Sequence, residues 1–104
     1  MSTIQRTAEF DRWLGALRDR KAQARILARI ASAHHGNFED CKVLGEGVSE
    51  MRIDVGPGYR VYFTRRGETV YLLLVGGDKS TQARDVTRAQ RMARQLKESD
   101  AHQE

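Results

Sequence analysis

The chain is poor in the residues that staple or punctuate a fold. It has one cysteine and one proline in 104 residues. A single thiol, Cys41, cannot form an internal disulfide, so the chain reads as a reduced, cytoplasmic protein held together by packing. The lone proline and the lack of any low-complexity tract argue against disorder and against a linker-joined pair. Histidine is scarce too: His34, His35 and His102 are the whole set. Without spaced His and Cys a structural zinc site is not expected, and no close carboxylate pair suggests a two-metal centre. No metal and no cofactor is therefore expected. Long apolar runs are missing as well. The longest, Val70 to Val75, has six residues, against roughly 20 for a bilayer span. Met1 to Phe10 lacks the apolar segment of a secretory signal.

What is abundant is charge. Charged residues make up 31% and hydrophobic residues 39%, with 18 Lys+Arg against 14 Asp+Glu, a net charge of +4. Fourteen of the cations are arginine. The guanidinium is a rigid planar fork that matches phosphate, so a small Arg-rich chain points to an anionic partner. The length predicts a single domain, 1–104, with its ordered core over about 7–97, large enough to fold without staples.

Periodicity then orders the chain. Thr7 is a candidate cap, and Phe10, Trp13, Leu14 and Leu17 follow at i, i+3, i+4, i+7, which predicts a helix over about 7–18. Arg20 to His34 repeats the pattern with Ile26, Leu27 and Ile30 inward, and Gly36-Asn37 stops it. These two helices are expected to form an antiparallel hairpin. The period then drops to 2. Strands are expected at Cys41–Leu44, Val48–Val55, Tyr59–Thr64 and Thr69–Val75, with Gly56-Pro57-Gly58 and Arg66-Gly67-Glu68 as turns and Gly76-Gly77 as the final stop. Thr69–Val75 is apolar on both faces and should be interior. Asp78 or Ser80 caps a last helix to about Lys97, with Val86, Ala89, Ala93 and Leu96 inward. The fold class is α+β: two helices, an antiparallel sheet of about four strands, then a C-terminal helix.

Three features bear on chemistry. Arg52 on one strand faces the same side as Arg60 and Tyr62 on the next, and an even register sets Arg52 beside one of them. Such a cluster suits RNA, with guanidiniums on phosphate and a ring stacked on a base. The competing reading is a solvated face whose arginines are neutralised by Glu50 and Asp54. Gly76 to Gln82 opens a helix after a strand, a place that favours an anion, although on these residues alone a Gly-Gly that merely lets the chain turn and cap is the stronger reading. Lys79 there would bring a cation beside Arg60. Finally, Arg84, Arg88 and Arg91 form a basic stripe on the last helix at i, i+4, i+7, with a solvated helix face as the alternative. Cys41 reads as a small strand residue and His34-His35 as a helix end.

Taken together, Phe10-x-x-Trp13-Leu14, Gly36-Asn37, Gly47-Val48-Ser49-Glu50-Met51-Arg52, Gly56-Pro57-Gly58-Tyr59-Arg60-Val61-Tyr62-Phe63 and Leu72 to Gln82 resemble the HigB-like "addiction module killer" branch of the RelE/ParE toxin superfamily. The resemblance spans about residues 7–97. It implies a RelE-like fold and a type II toxin–antitoxin system with a helix-turn-helix antitoxin as partner. It also implies ribosome-dependent cleavage of mRNA, in which the ribose 2′-OH attacks the adjacent phosphate without a metal. Arg60, Arg52, Lys79 and Tyr62 take the catalytic places, and Arg84, Arg88, Gln82 and Arg65 the RNA-binding ones. The C-terminal tyrosine of RelE-like members has no counterpart, and Asp85 lies near its place. The superfamily also implies two alternatives: non-enzymatic inhibition of DNA gyrase, or a degenerate toxin that only binds its antitoxin.

Overall fold

Thr7 does more than cap a helix. Its side chain accepts the Phe10 amide at 3.0 Å, while its hydroxyl donates to the Leu74 carbonyl at 2.8 Å. The start of the first helix is thereby tied to a strand far along the chain. The structure, a computed structural model, describes residues 1–101; His102 lies outside them. The order is β1 (Thr3–Arg6), α1 (Ala8–Ala16), α2 (Arg20–His34), β2 (Cys41–Gly45), β3 (Val48–Ile53), β4 (Tyr59–Arg65), β5 (Val70–Asp78), a 3₁₀ turn (Lys79–Thr81) and α3 (Gln82–Ala101). No helix among the described residues is long and apolar enough to cross a membrane.

The five strands form one sheet in the order β1-β5-β4-β3-β2. The last four make the expected antiparallel meander. The fifth, β1, lies N-terminal to the expected core and pairs parallel to β5, with Thr3 opposite Val70. A four-residue, mostly exposed strand carries no alternation that a sequence pattern can reveal. The α+β class stands, with a mixed sheet of five strands rather than an antiparallel one of four.

The helices cover both faces. On one side α1 and α2 bury Phe10, Leu14, Ala22, Ile26 and Ala33 against Met51, Ile53, Val61, Phe63 and Leu73. On the other, α3 buries Ala89 and Ala93 against Val48, Tyr62, Leu72 and Leu74. Each fully buried side chain of this size contributes about 1.5–3 kcal/mol. Asp19 caps α2 through the Ala22 amide at 3.1 Å. At its other end Gly36 takes φ +89°, and the Asn37 and Gly36 amides close back on Ser32 and Ala33, a Schellman stop. α1 rests on β5 while α2 rests on β1 and β3, so the hairpin packs through the sheet more than along its own length. Leu27, expected inward, is 46% exposed. Ile26 and Ile30 already fill that stripe, which the alanines keep narrow.

Gly76-Gly77 does not stop the strand. β5 runs through both glycines to Asp78. A Cβ on Gly76 would lie 2.1 Å from the Trp13 ring, and one on Gly77 would lie 1.9 Å from the Asp85 carboxylate. The glycines are sites of close approach, one on each face. Gly76→Ala is therefore expected to lower unfolding stability by about 1–3 kcal/mol through overpacking. Gly15→Ala, where a Cβ meets nothing on exposed α1, should instead raise it by about 0.5–1 kcal/mol. Urea unfolding of the two variants checks both signs.

Candidate functional site

The register of β3 and β4 sets Arg52 directly opposite Arg60, and Glu50 directly opposite Tyr62, on the face that α3 covers. On the other side of Arg60 stands Gly77, which has no side chain to crowd it. Like charges facing across a ladder repel, and here each arginine has its own carboxylate. Arg52 donates from Nε and Nη2 to Asp40 Oδ1 at 3.1 and 2.7 Å. Both partners are about half exposed. Arg60 is far more enclosed. Its side chain is 14% exposed, Nη1 donates to the Gly58 carbonyl at 3.0 Å, and Nε lies 3.6 Å from Glu50 Oε2. The neutralising pair is thus Asp40 and Glu50, not Glu50 and Asp54.

Lys79 joins this end of the sheet. The place a Gly58 Cβ would take is 3.4 Å from Arg60 Nη1 and 3.8 Å from Lys79 Cβ, so the turn, the arginine and the start of the 3₁₀ segment converge. Gly58 itself has φ +81°, which a side chain would strain. Asp78 caps the 3₁₀ turn. Its bonds from the Ser80 hydroxyl and amide, aided by the Arg60 charge and opposed by partial burial, hold its carboxyl below the ordinary 3.8. Between Arg52 and Arg60 lies an open depression of about 340 Å³, lined also by Asp40, Asp54, Gly58 and Tyr59.

Other expected residues sit elsewhere. Tyr62 is fully buried, so its ring is not available to stack on a base. Burial first, then the neighbouring Glu50, pushes its phenol well above the ordinary 10.0, and its hydroxyl has no hydrogen-bond partner. Gln82 points inward as well, donating to Glu50 Oε2 at 3.0 Å, so its amide already has a protein partner in place of RNA. Arg65 braces the β4–β5 turn by donating to the Gly67 and Glu68 carbonyls at 2.7 and 2.8 Å. It lies five residues from Arg60, about 16 Å along the strand. There it borders a separate cleft of about 420 Å³ that also contains Arg66, Arg94 and Lys97.

The basic stripe of α3 is present and exposed. Arg84, Thr87, Arg88 and Arg91 line one shallow groove. Arg84 is 77% exposed and lies 3.7 Å from Asp85. Arg88 is occupied by Glu9 of α1, with Nε 2.7 Å from Oε2 and Nη2 on the other oxygen.

What the sequence pattern missed is the burial of two acidic residues beside the start of α3, Glu50 and Asp85. Glu50 and Asp85 are 2% and 5% exposed. Asp85 accepts from Thr81 Oγ1 at 2.6 Å and fills the Gly77 notch. The signal that could have exposed them was the Gly-Gly pair itself, which demanded close neighbours. No group of His, Cys, Asp and Glu that could hold a metal gathers among the described residues.

The Arg88 bond is the main cause that holds the Glu9 carboxyl below its ordinary 4.5, against the opposing effect of burial. A carboxyl lowered on folding stabilises the protein above its unfolded value and loses that contribution as pH falls through the folded one. Glu9→Gln should therefore be less stable than the parent at pH 7, and the gap should close as pH drops below 4.5. Urea midpoints across that range test it.

Comparison with known proteins adds lineage to this geometry. Residues 12–98 match the family described as "Phage derived protein Gp49-like (DUF891)". An uncharacterized protein of Haemophilus influenzae is 45% identical over 93 residues, covering 89% of this chain and 94% of the relative.

Proposed function

The chain belongs to the phage-derived Gp49-like family, one associated with toxin–antitoxin systems, and we propose that it is the toxin of such a pair, a ribosome-dependent mRNA endoribonuclease that blocks translation until a helix-turn-helix antitoxin silences it. One observation carries the reading: Arg52 and Arg60 stand opposite each other in register beside Lys79, over an open depression.

The chemistry asked of such a face is electrostatic. The ribose 2′-OH gives up its proton to solvent as it attacks the neighbouring phosphorus, a 2′-O–P bond forms, the P–O5′ bond breaks, and the leaving 5′-oxygen takes up a proton. The products are a 2′,3′-cyclic phosphate and a 5′-OH. Negative charge grows on the non-bridging oxygens, where Arg60 and Arg52 would meet it, while Lys79 would assist the leaving 5′-oxygen. One preorganised donor of this kind is worth about 10²–10³ in rate. Substrate alignment, supplied by the ribosome, can add several further orders of magnitude. In this reading Arg52 and Arg60 play different parts. The exposed Arg52–Asp40 pair is of a type worth about 0–1 kcal/mol, so a phosphate can displace Asp40. The enclosed Arg60–Glu50 pair stays in place. Arg84 and Arg91 on α3 would add nonspecific attraction to the RNA backbone.

Burial of Tyr62, which removes the ring expected to stack on a base, favours one other reading: binding-only inhibition of DNA gyrase. Induction of the chain without its antitoxin separates the two. The ribonuclease reading expects new mRNA 5′ ends and an early stop in translation; the other expects stalled replication with intact mRNA. Arg60→Ala should cut mRNA cleavage by about 10²–10³-fold and restore growth. Undiminished toxicity in that variant would rule Arg60 out.

A further inference from the structure

Glu50 is the least exposed acidic residue named on the α3 side of the sheet, at 2%. A carboxylate removed from water is costly unless it is paired and hydrogen-bonded. Its setting explains how it is held. Gln82 Nε2, in the first turn of α3, donates to Oε2 at 3.0 Å, and Arg60 Nε approaches the same oxygen at 3.6 Å. Directly across the ladder lies Tyr62, whose buried hydroxyl has no hydrogen-bond partner.

From the side of Arg60 the geometry is equally defined. Nη1 is engaged by the Gly58 carbonyl at 3.0 Å. Nε is enclosed and has no hydrogen-bond acceptor, and Glu50 is its ionic neighbour. That leaves Nη2 as the guanidinium nitrogen with neither engagement, on a side chain that lines the depression shared with Arg52. A planar group hydrogen-bonded at Nη1 and enclosed beside a carboxylate at Nε has little freedom left at the third nitrogen.

We propose that Glu50 is a positioning residue: held by Gln82 from the start of α3, it orients the Arg60 guanidinium so that the Nη2 edge faces the RNA phosphate in the depression. The inference rests on the ribonuclease reading for its substrate. Glu50 itself does not touch the phosphate. Its role is to fix the donor before substrate arrives, which is where preorganised donors gain their advantage. It also gives α3 a part in the site, because the helix start supplies the amide that orients the carboxylate.

The experiment compares wild type, Glu50→Gln, Gln82→Ala, Arg60→Ala and the Glu50→Gln/Arg60→Ala double variant in single-turnover cleavage of mRNA on programmed ribosomes. Glu50→Gln is expected to slow cleavage by about 10²-fold while leaving half-saturation by ribosomes unchanged. In the Arg60→Ala background it should add nothing, since its effect runs through Arg60. An equal loss in both backgrounds would mean a merely structural role and overturn the proposal. A second readout does not need cleavage at all: hydrogen exchange at the arginine Nε–H groups, followed by ¹⁵N NMR on the folded full chain. The Arg60 Nε–H should be the slowest of the arginines in wild type and about tenfold or more faster in Glu50→Gln. Unchanged exchange overturns the proposal. Should Glu50→Gln fail to fold, Gln82→Ala carries the same two expectations, and full activity with unchanged exchange in it overturns the proposal likewise. If wild type cuts no mRNA, the ribonuclease reading fails, and the exchange readout still decides whether Glu50 orients Arg60.

Discussion

The indole of Trp13 and the carboxylate of Asp85 occupy, from opposite faces of β5, the volumes that two side chains at positions 76 and 77 would fill. Much of the architecture follows from this contact. Trp13 settles where α1 lies, in an aromatic group with Phe10 and Tyr59. Asp85, bonded to Thr81, settles where α3 begins. That starting point is what lays Gln82 over Glu50 and brings Lys79 to the Gly58 turn. Opposite Arg60 in the β4–β5 ladder, the place of a side chain at 77 is taken by the Asp85 carboxylate. One dipeptide thus sets two helical layers.

Charge is divided along the same lines. Among the fourteen arginines, several hold exposed carboxylates or carbonyls at distances typical of surface pairs. Arg6 with Asp11, Arg66 with Asp100 and Arg94 with Glu46 are of this kind. Pairs of that sort add little to stability and yield readily to salt. The Glu50–Arg60 pair differs because both members are withdrawn from water. Removing one member of such a pair leaves an uncompensated charge, which is far more damaging than losing a surface contact. The net charge of the chain therefore says little about its site, where as many carboxylates as guanidiniums are found.

What could be read from residue order follows a physical logic. Period-2 alternation across Gly56-Pro57-Gly58 was enough to put Arg52 on one face with Arg60 and Tyr62, because a ladder admits only two faces and the turn length sets the parity. Which of the two stands opposite Arg52 came from the register itself, which pairs it with Arg60. The cap at Thr7 and the stop at Gly36 were legible for the same local reason, whereas Asp78, offered with Ser80 as the cap of the last helix, caps the 3₁₀ turn that precedes it. Three things were not. β1 is too short and too polar to show a period. Tyr62 and Glu50 look like an outward face in the pattern, since alternation marks sides but cannot say that a distant helix will cover one of them. The glycines of β5 read as a stop because a sequence shows only that a side chain is missing, not what has moved into its place. Leu27 shows the reverse error: helical period placed it inward, but it lies about 100° around the helix from the buried Ile26 and is 46% exposed.

β1 pairs with a strand that comes very late, and the Thr7–Leu74 bond at its end joins residues 67 positions apart. Closing so long a loop is entropically unfavourable, and parallel pairing over such separations is slow. During synthesis at about 5–20 residues per second, the first strand and the apolar side of α1 wait several seconds for β5 to exist. Lys79, Gln82 and the helix that bears them follow later still. The order of manufacture imposes a delay: a ribosome has translated most of this chain before the face formed by Arg52, Arg60 and Lys79 can be assembled.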